Sequence, residues 1–478
     1  MNKIEMIQWL DQQSEELFSI SDGSWDHPEL GFEEQYSSAV ISDALQAHGF
    51  EVTRGLDGIP TAFVARFGEG RPYIGILGEF DALPNMNQKA GVCEEQREEA
   101  PTQNGHGCGH NLLGAGSLGA AIAVREYLAQ TKASGTIFYY GCPAEENGAA
   151  KAFMARDGVF SDLDAALSWH PNAFNSVWSF SSLMNVSVYY RFHGVSSHAA
   201  TSPHLGRSAL DALELMNMDV QFLREHIITD ARIHYAITNT GGRAPNVVQS
   251  EAEALYLIRA PKNTQAREIL ERVNRIAEGA AMMSDVRVDY EIDQAVSNIV
   301  VNNVLERLLF ANMKEIGVPQ YTEEEYDFAR RIQNTIPHRQ PLAERLAATR
   351  GEEGRKIGEM FDQKGIYSFV MPYSPSEKPI FGSSDVGDVS WVCPTSQIVT
   401  ATWAGGTTEH SWQAVAQGKS SCAHKGLLYA AKVMAATAVD LIEQPEKVIA
   451  AKEEFLRRIG SEGYQPLLPA DKKIDIKK

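Results

Sequence analysis

Four short phrases of this chain carry the side-chain types that bind metal ions and move protons. The first is His106-Gly107-Cys108-Gly109-His110. In an extended segment alternate side chains point the same way, so Cys108 and His110 can face one point while the glycines keep the approach clear. Thiolate and imidazole are good ligands for zinc and related ions. The second phrase is Cys142-Pro143-Ala144-Glu145-Glu146-Asn147-Gly148, directly after the strand-like run TIFYYG. Adjacent carboxylates repel unless positive charge lies beside them. Their side chains diverge, so one can bind a metal ion while the other holds water, which is the logic of metal-assisted hydrolysis. The third phrase is His170-Pro171 after AALSW, and the fourth is His410 within GGTTEHSW.

Each phrase has a plainer reading. A Cys-x-His pair in a loop is often incidental, acids at a helix start are favoured by its dipole, and a lone histidine is often a hydrogen-bonded core residue. Their convergence argues for a site, because ligands of open α/β sheets collect at the carboxyl ends of strands. Three further residues suit substrate contacts. His198, in GVSSHAA, can donate to a carbonyl oxygen that turns negative in the transition state, or stabilise a turn. Arg259 offers a planar fork for a carboxylate, or forms a surface ion pair. Asn246, in RAPNVV, accompanies it or serves a turn.

Hydrophobic periodicity supplies the elements that must position these groups. It predicts helices over 3–20 and 35–48, strands beginning at Thr61 and Tyr73, and a loop from Asn85 to Gln103. A glycine- and alanine-rich helix follows over 112–128, suited to close packing on a sheet, with Asn111 as its cap. TIFYYG and AALSW read as buried strands, so the fold class is α/β with a covered sheet. From Asn185 the pattern becomes β-α-β-β-α-β: NVSVYYRF, a helix over 208–224, strands around HYAIT and EALYLIRA, a helix over 264–282, and VRVDYEI. This fits a two-layer sandwich inserted as a separate domain. Domain boundaries of 1–184 with 298–478, and 185–297, follow. The polar stretch 322–378 reads as an insertion, 426–442 as a core-closing helix, and the tail KKIDIKK as frayed.

The chain has 478 residues and a formal charge of -19, which argues against nucleic acid as a partner. No run of about 18 uninterrupted apolar residues occurs, so a membrane partner is not expected. The first twenty residues lack a signal peptide's apolar run, and a cytoplasmic protein is expected. Five cysteines imply no disulfide framework.

The phrases GEFDALP, GHGCGHN, GCPAEENG, SWHP, GVSSHAA, GGRAPNVV and GTTEHSW occur in that order across nearly the whole chain. Together they resemble the aminoacylase and carboxypeptidase group of dinuclear metallopeptidases, in the amidohydrolase branch that includes plant auxin-conjugate hydrolases. The resemblance implies a two-domain fold: a mixed-sheet catalytic domain and an inserted α+β, ferredoxin-like lid and dimerisation domain. It implies that Cys108, His110, Glu146, His170 and His410 hold two divalent ions, zinc or manganese. Glu145 would be the general base, and His198 would reach into the site of a neighbouring subunit. Asn246 and Arg259 would grip the carboxylate of a small acyl-amino-acid substrate cleaved at its amide. The implied assembly is a homodimer, or a heterodimer with a homologous subunit, through the lid domain.

The chain departs from the family pattern at Asn111, where many relatives carry aspartate, and at Glu79-Phe80-Asp81, where Asp-Met-Asp is usual. The stretch 322–378 is longer than in the shorter relatives. Two rival readings remain. One is a non-catalytic subunit that keeps the fold for assembly, and the other is a cysteine hydrolase with Cys108 as nucleophile.

Overall fold

The structure is a computed structural model that describes residues 1–376, 378–461 and 463–474, so the end of the tail expected to fray lies outside the described residues. Chain order gives β1 (Glu51–Arg54), β2 (Phe63–Glu69), β3 (Tyr73–Gly78), β4 (Gly135–Gly141), β5 (Ala165–Asn172) and β6 (Ser176–Val177). Then come β7 (Met184–His193), β8 (Arg232–Asn239), β9 (Glu251–Ala260), β10 (Arg287–Val296) and β11 (Thr395–Ala401). A seven-stranded sheet has the order β1-β2-β4-β3-β5-β11-β6, and a four-stranded sheet the order β10-β7-β9-β8.

In the larger sheet β4, β3, β5 and β11 run parallel, and antiparallel pairs flank them. The chain passes from β3 to β4 on one side and then to β5 on the other. The winding therefore reverses at β3, which makes the carboxyl ends of β3, β4 and β5 a topological switch point.

The helix His110–Thr131 packs under this sheet and is buried almost throughout. By length and mean hydropathy it would pass for a membrane span, but 83% of its most apolar window is buried inside the fold. Its small residues make that packing possible. A Cβ at Gly116 would stand 2.6 Å from the Trp169 ring, whose indole N–H donates to the Leu113 carbonyl at 3.0 Å. The helix Ser421–Glu443 packs beside it, against β5 and β11.

The four antiparallel strands and the helices Ala209–Leu223 and Asn263–Ser284 form the ferredoxin-like unit, β-α-β-β-α-β. These elements run from Met184 to Val296, and their apolar side chains form a second core, joined by Ala149, Ala152, Phe153, Leu467 and Leu468.

Several local expectations are corrected. The helix begins at His110, capped by Gly109 in the left-handed region, so Asn111 lies inside its first turn and does not cap it. The single helix expected over 3–20 is two, Lys3–Gln12 and Ser14–Asp26. The stretch 322–378 is not featureless. It contains the helices Glu323–Gln333, opened by a Thr322–Glu325 capping box, and Leu342–Asp362, kinked at Gly351. Their apolar stripes are narrow and dominated by charged neighbours, which hides the period.

Candidate active site

The carboxyl ends of the four parallel strands converge, and each contributes acid, imidazole or thiol. Glu79 and Asp81 follow β3, and Glu145 and Glu146 follow β4. His170 lies near the end of β5, and His410 follows β11. Cys108 and His110 enter at the start of the helix that leaves the β3 side. The structure thus brings together Cys108, His110, Glu145, Glu146, His170 and His410.

Two donor groups share the Cys108 thiol. Cys108, His110 and His170 offer ligand atoms within 4.8 Å of one another, and so do Cys108, Glu146 and His410. The Cys108 sulfur lies 3.4 Å from His170 Nε2, and His410 Nε2 lies 3.3 Å from a Glu146 carboxylate oxygen. Donors bound at about 2.0–2.3 Å around a tetrahedral ion stand about 3.3–3.6 Å apart, so these separations fit ligands of common ions. The His110 Nε2 and Glu146 Oε1 atoms are buried without a hydrogen-bond partner, as atoms reserved for a cation would be. The residues present therefore fit the donor chemistry of two divalent ions.

A buried frame orients the ligands. Asp81 accepts from His110 Nδ1 at 2.8 Å through one oxygen and from the Glu146 amide at 2.9 Å through the other. His170 donates from Nδ1 to the Pro171 carbonyl at 2.8 Å, which leaves Nε2 facing Cys108. Asn111 does not orient a ligand; its amide donates to Ser21 and to the Gly418 carbonyl. His106 is buried, bonded to the Ser24 carbonyl, and pushed down to about 3 chiefly by burial, a neutral structural residue.

The electrostatics are those of a cation site. Burial, then the carboxylates of Glu146, Glu145 and Glu409, push the Cys108 thiol well up. Burial would lower the His110 imidazole, but Asp81, Glu79 and Glu146 outweigh it and bring it up to about 10. Burial also opposes the charge on Glu146, yet His410 and His110 hold it down at about 2. Burial, then Glu79, Asp385 and Glu146, push Glu145 well above the usual carboxylate range. Two neighbouring glutamates are thereby driven apart, which is how environments assign different roles to like groups.

Sequence reasoning assigned no role to Glu79, Asp81, Lys151 or Asp385. Lys151 is fully buried and pairs with Glu79 at 2.8 Å and Asp385 at 2.6 Å. The available signal was a lone lysine in the small-residue run GAAKAFMA.

Three expected site residues lie outside the cluster, on the smaller domain. His198 is exposed, and its Nδ1 accepts from the amides of Ala200 and Thr201, so the proton sits on the outward Nε2. Asn246 is also exposed and adjoins it, its carbonyl accepting from the Ala199 amide at 2.9 Å. Arg259, on β9, donates to the Ser383 hydroxyl at 2.9 Å across the domain boundary.

Residues 75–336 match the peptidase family M20/M25/M40. Over 94% of its length the chain is 46% identical to a subunit of the p-aminobenzoyl-glutamate hydrolase of Escherichia coli (strain K12), and it covers 94% of that subunit. It is 26% identical to the Xaa-Arg dipeptidase of Homo sapiens, over 97% of this chain and 94% of that one. Among solved structures, a dinuclear metal-binding peptidase of the M20 family from Bacillus subtilis is similar, with a TM-score of 0.55 at 17% identity. That likeness covers 91% of this chain and 99% of the other.

Proposed function

The chain belongs to the M20/M25/M40 peptidase family, a metal-dependent hydrolase of amide bonds, and we propose that its substrate is p-aminobenzoyl-glutamate, cleaved to p-aminobenzoate and glutamate. The observation that carries the reading is Cys108 shared between two donor groups, with Glu145 within 4.8 Å of His110, a member of one of them. Cys108, His110, Glu146, His170 and His410 would hold two divalent ions, zinc or manganese. When bound, these supply Lewis acidity toward the scissile carbonyl and toward water.

The protein's own groups do the rest. Glu145, in surroundings that disfavour its charge, is a stronger base than a surface glutamate. It takes a proton from water at its carboxylate and returns it to the departing amine nitrogen. Arg259, which faces a hydroxyl rather than an acid, would bind the substrate's glutamate carboxylate, with Asn246 beside it.

His198 makes its hydrogen bonds within its own turn of the smaller domain, outside its own chain's cluster, so it would donate to the oxyanion in a second subunit. A dimer through the smaller domain would bring it there. Its edge strand β8 leaves Tyr235 and Ile237 exposed, and the helix Ala209–Leu223 leaves Met218 and Phe222 exposed. The second subunit is either a copy of this chain or a homologue, since the Escherichia coli relative is itself named as a subunit. All five cysteines are unpaired, which supports a reducing, cytoplasmic setting.

Cys108 as a nucleophile is disfavoured. Nucleophilic thiols are lowered by nearby positive charge, whereas burial and then three carboxylates raise this one.

The test is hydrolysis of p-aminobenzoyl-glutamate by the purified chain, before and after chelation and with manganese or zinc restored. Activity lost on chelation and regained with metal is expected. Hydrolysis of a dipeptide or another acyl-amino acid instead would correct the substrate. Metal binding with no hydrolysis of any of these would point to a subunit that needs its partner.

A further inference from the structure

We propose that Lys151 is a positioning residue that holds the Glu79 carboxylate beside the metal centre but outside its coordination, leaving a position open for water or substrate. The inference rests on the metal reading above. Glu79 is close enough to be a ligand. Its Oε2 lies 3.4 Å from His110 Nε2, and Glu79, His110 and Glu145 offer ligand atoms within 4.8 Å of one another. A carboxylate in that place would fill a coordination position, whereas catalytic sites keep one open.

Lys151 answers this. Its ammonium lies 2.8 Å from Glu79 Oε1, so one carboxylate oxygen is already committed to a cation and the side chain is anchored through it. Asp385 fixes the ammonium in turn, at 2.6 Å through Oδ1, and accepts from the Lys151 amide at 3.0 Å through Oδ2. The side chains of Lys151, Glu79 and Asp385 are all within 3% of full burial, so no water competes for the pairing.

The lysine is turned inward on a short helix, Ala150–Arg156, that is buried from Ala150 through Ala155. A lysine in a core is costly, and it persists where buried acids oppose it.

The test compares the wild-type chain with Lys151→Met, Lys151→Arg and the double variant Lys151→Met/Glu79→Gln, each loaded with manganese or cobalt(II). Release of the ions to a chelator, visible absorption of the cobalt forms, and kcat are measured. In Lys151→Met the freed Glu79 joins the coordination. Ion release slows about tenfold, cobalt absorption weakens as the coordination number rises, and kcat falls about tenfold or more. A fold merely damaged by the change would release its ions faster. Lys151→Arg keeps wild-type values, and Lys151→Met/Glu79→Gln loses the slow release. If Lys151→Met does not fold, Lys151→Met/Asp385→Asn removes one charge of each sign and carries the same expectation.

Release at the wild-type rate or faster in a folded variant overturns the inference. Slow release that persists in the double variant also overturns it, because removal of a charge would then suffice. A wild-type chain that binds no ion overturns the metal reading itself, an outcome separate from either.

Discussion

Asp81 carries two ligands on one carboxylate, so Asp81→Asn perturbs the site in a way that magnitudes can follow. One oxygen accepts from His110 and the other from the Glu146 amide, and the side chain is fully buried. Hydrogen bonds to a charged group contribute about 1.5–3 kcal/mol each, and solvent does not screen them here. An asparagine still accepts from His110 Nδ1 through its oxygen, at roughly half the strength. Its NH2 group then faces the Glu146 N–H, donor against donor, which leaves a buried amide unsatisfied at about 1–3 kcal/mol. The expected loss is about 2–5 kcal/mol of folding stability in the metal-free protein.

Metal affinity should fall about 10- to 100-fold, because both His110 and Glu146 lose their orientation. Urea unfolding of the stripped protein and calorimetric titration with manganese measure the two effects separately. Asp164→Asn is the comparison. Asp164 accepts from Tyr73 N and Arg71 at 2.8 and 2.7 Å, at the opposite end of the same strand β3. It is partly exposed, so its loss should cost about 1 kcal/mol and leave metal affinity unchanged. Asp81→Asn binding metal within about twofold of wild type would refute the reasoning, as would equal weakening by Asp164→Asn.

Glu145→Ala should lower kcat by about 100- to 10,000-fold while the chain still binds its ions; measured metal content and turnover separate these. His198→Ala should lower kcat about 100-fold with metal content unchanged, and mixing it with Glu145→Ala should restore about a quarter of wild-type activity. That recovery, read after the dimers exchange, distinguishes a donor acting across subunits from one acting within its own chain. Arg259→Ala should raise KM more than it lowers kcat for substrates with a free carboxylate, and should leave an esterified analogue little affected. His193 lies between Asp289 and Glu251 on the smaller sheet, and the bond to Asp289, then that to Glu251, raise its pKa. Its folded value exceeds its unfolded one, so its stabilisation is complete below the unfolded value and fades as pH rises through the folded value. Urea midpoints of His193→Gln should therefore lie furthest below wild type in mild acid and converge with it in mild alkali.

The cluster is legible in the sequence because its members are chemically rare and follow strand-like runs. The rule that sites gather at strand ends picks out Cys108, His110, the Glu145–Glu146 pair, His170 and His410, while the choice of Glu146 over Glu145 as a metal ligand comes from the family resemblance. The ferredoxin-like unit is legible too, since its strands alternate and its helices carry broad apolar faces, as over Ile269, Val273 and Ala277. The frame behind the ligands is not. Asp81 and Glu79 sit in GEFDALP, where the sequence offers no sign of which carboxylate will meet His110. Lys151 and Asp385 lie more than two hundred positions apart, and only the fold brings them together. Strand β11 is hidden because it is buried throughout and shows no alternation. Asn111 suits a cap by its type, but Gly109 alone accepts the left-handed backbone that the entry into this helix requires.

The segments that carry the ligands are strained where they carry them. Ala144, just before Glu145, has φ of 54°, and His410 has φ of 58°. Such residues cost about 1–3 kcal/mol each and persist only where their surroundings hold them. Here the holding is done by main-chain groups and one buried carboxylate. The Ala144 amide donates to buried Glu34 at 2.8 Å, and its carbonyl accepts from the Gly148 and Ala149 amides at 2.9 and 2.7 Å. The His410 amide donates to the Gly107 carbonyl at 2.9 Å, which ties the β11 ligand to the segment carrying Cys108. Glu34 in turn accepts from Thr61, so its grip on the Ala144 loop reaches back to the residues that lead into β2. None of these bonds uses a ligand atom. The donors are therefore set in place by the chain itself, and an ion that enters meets thiol, imidazole and carboxylate already gathered, which spares it the cost of ordering them.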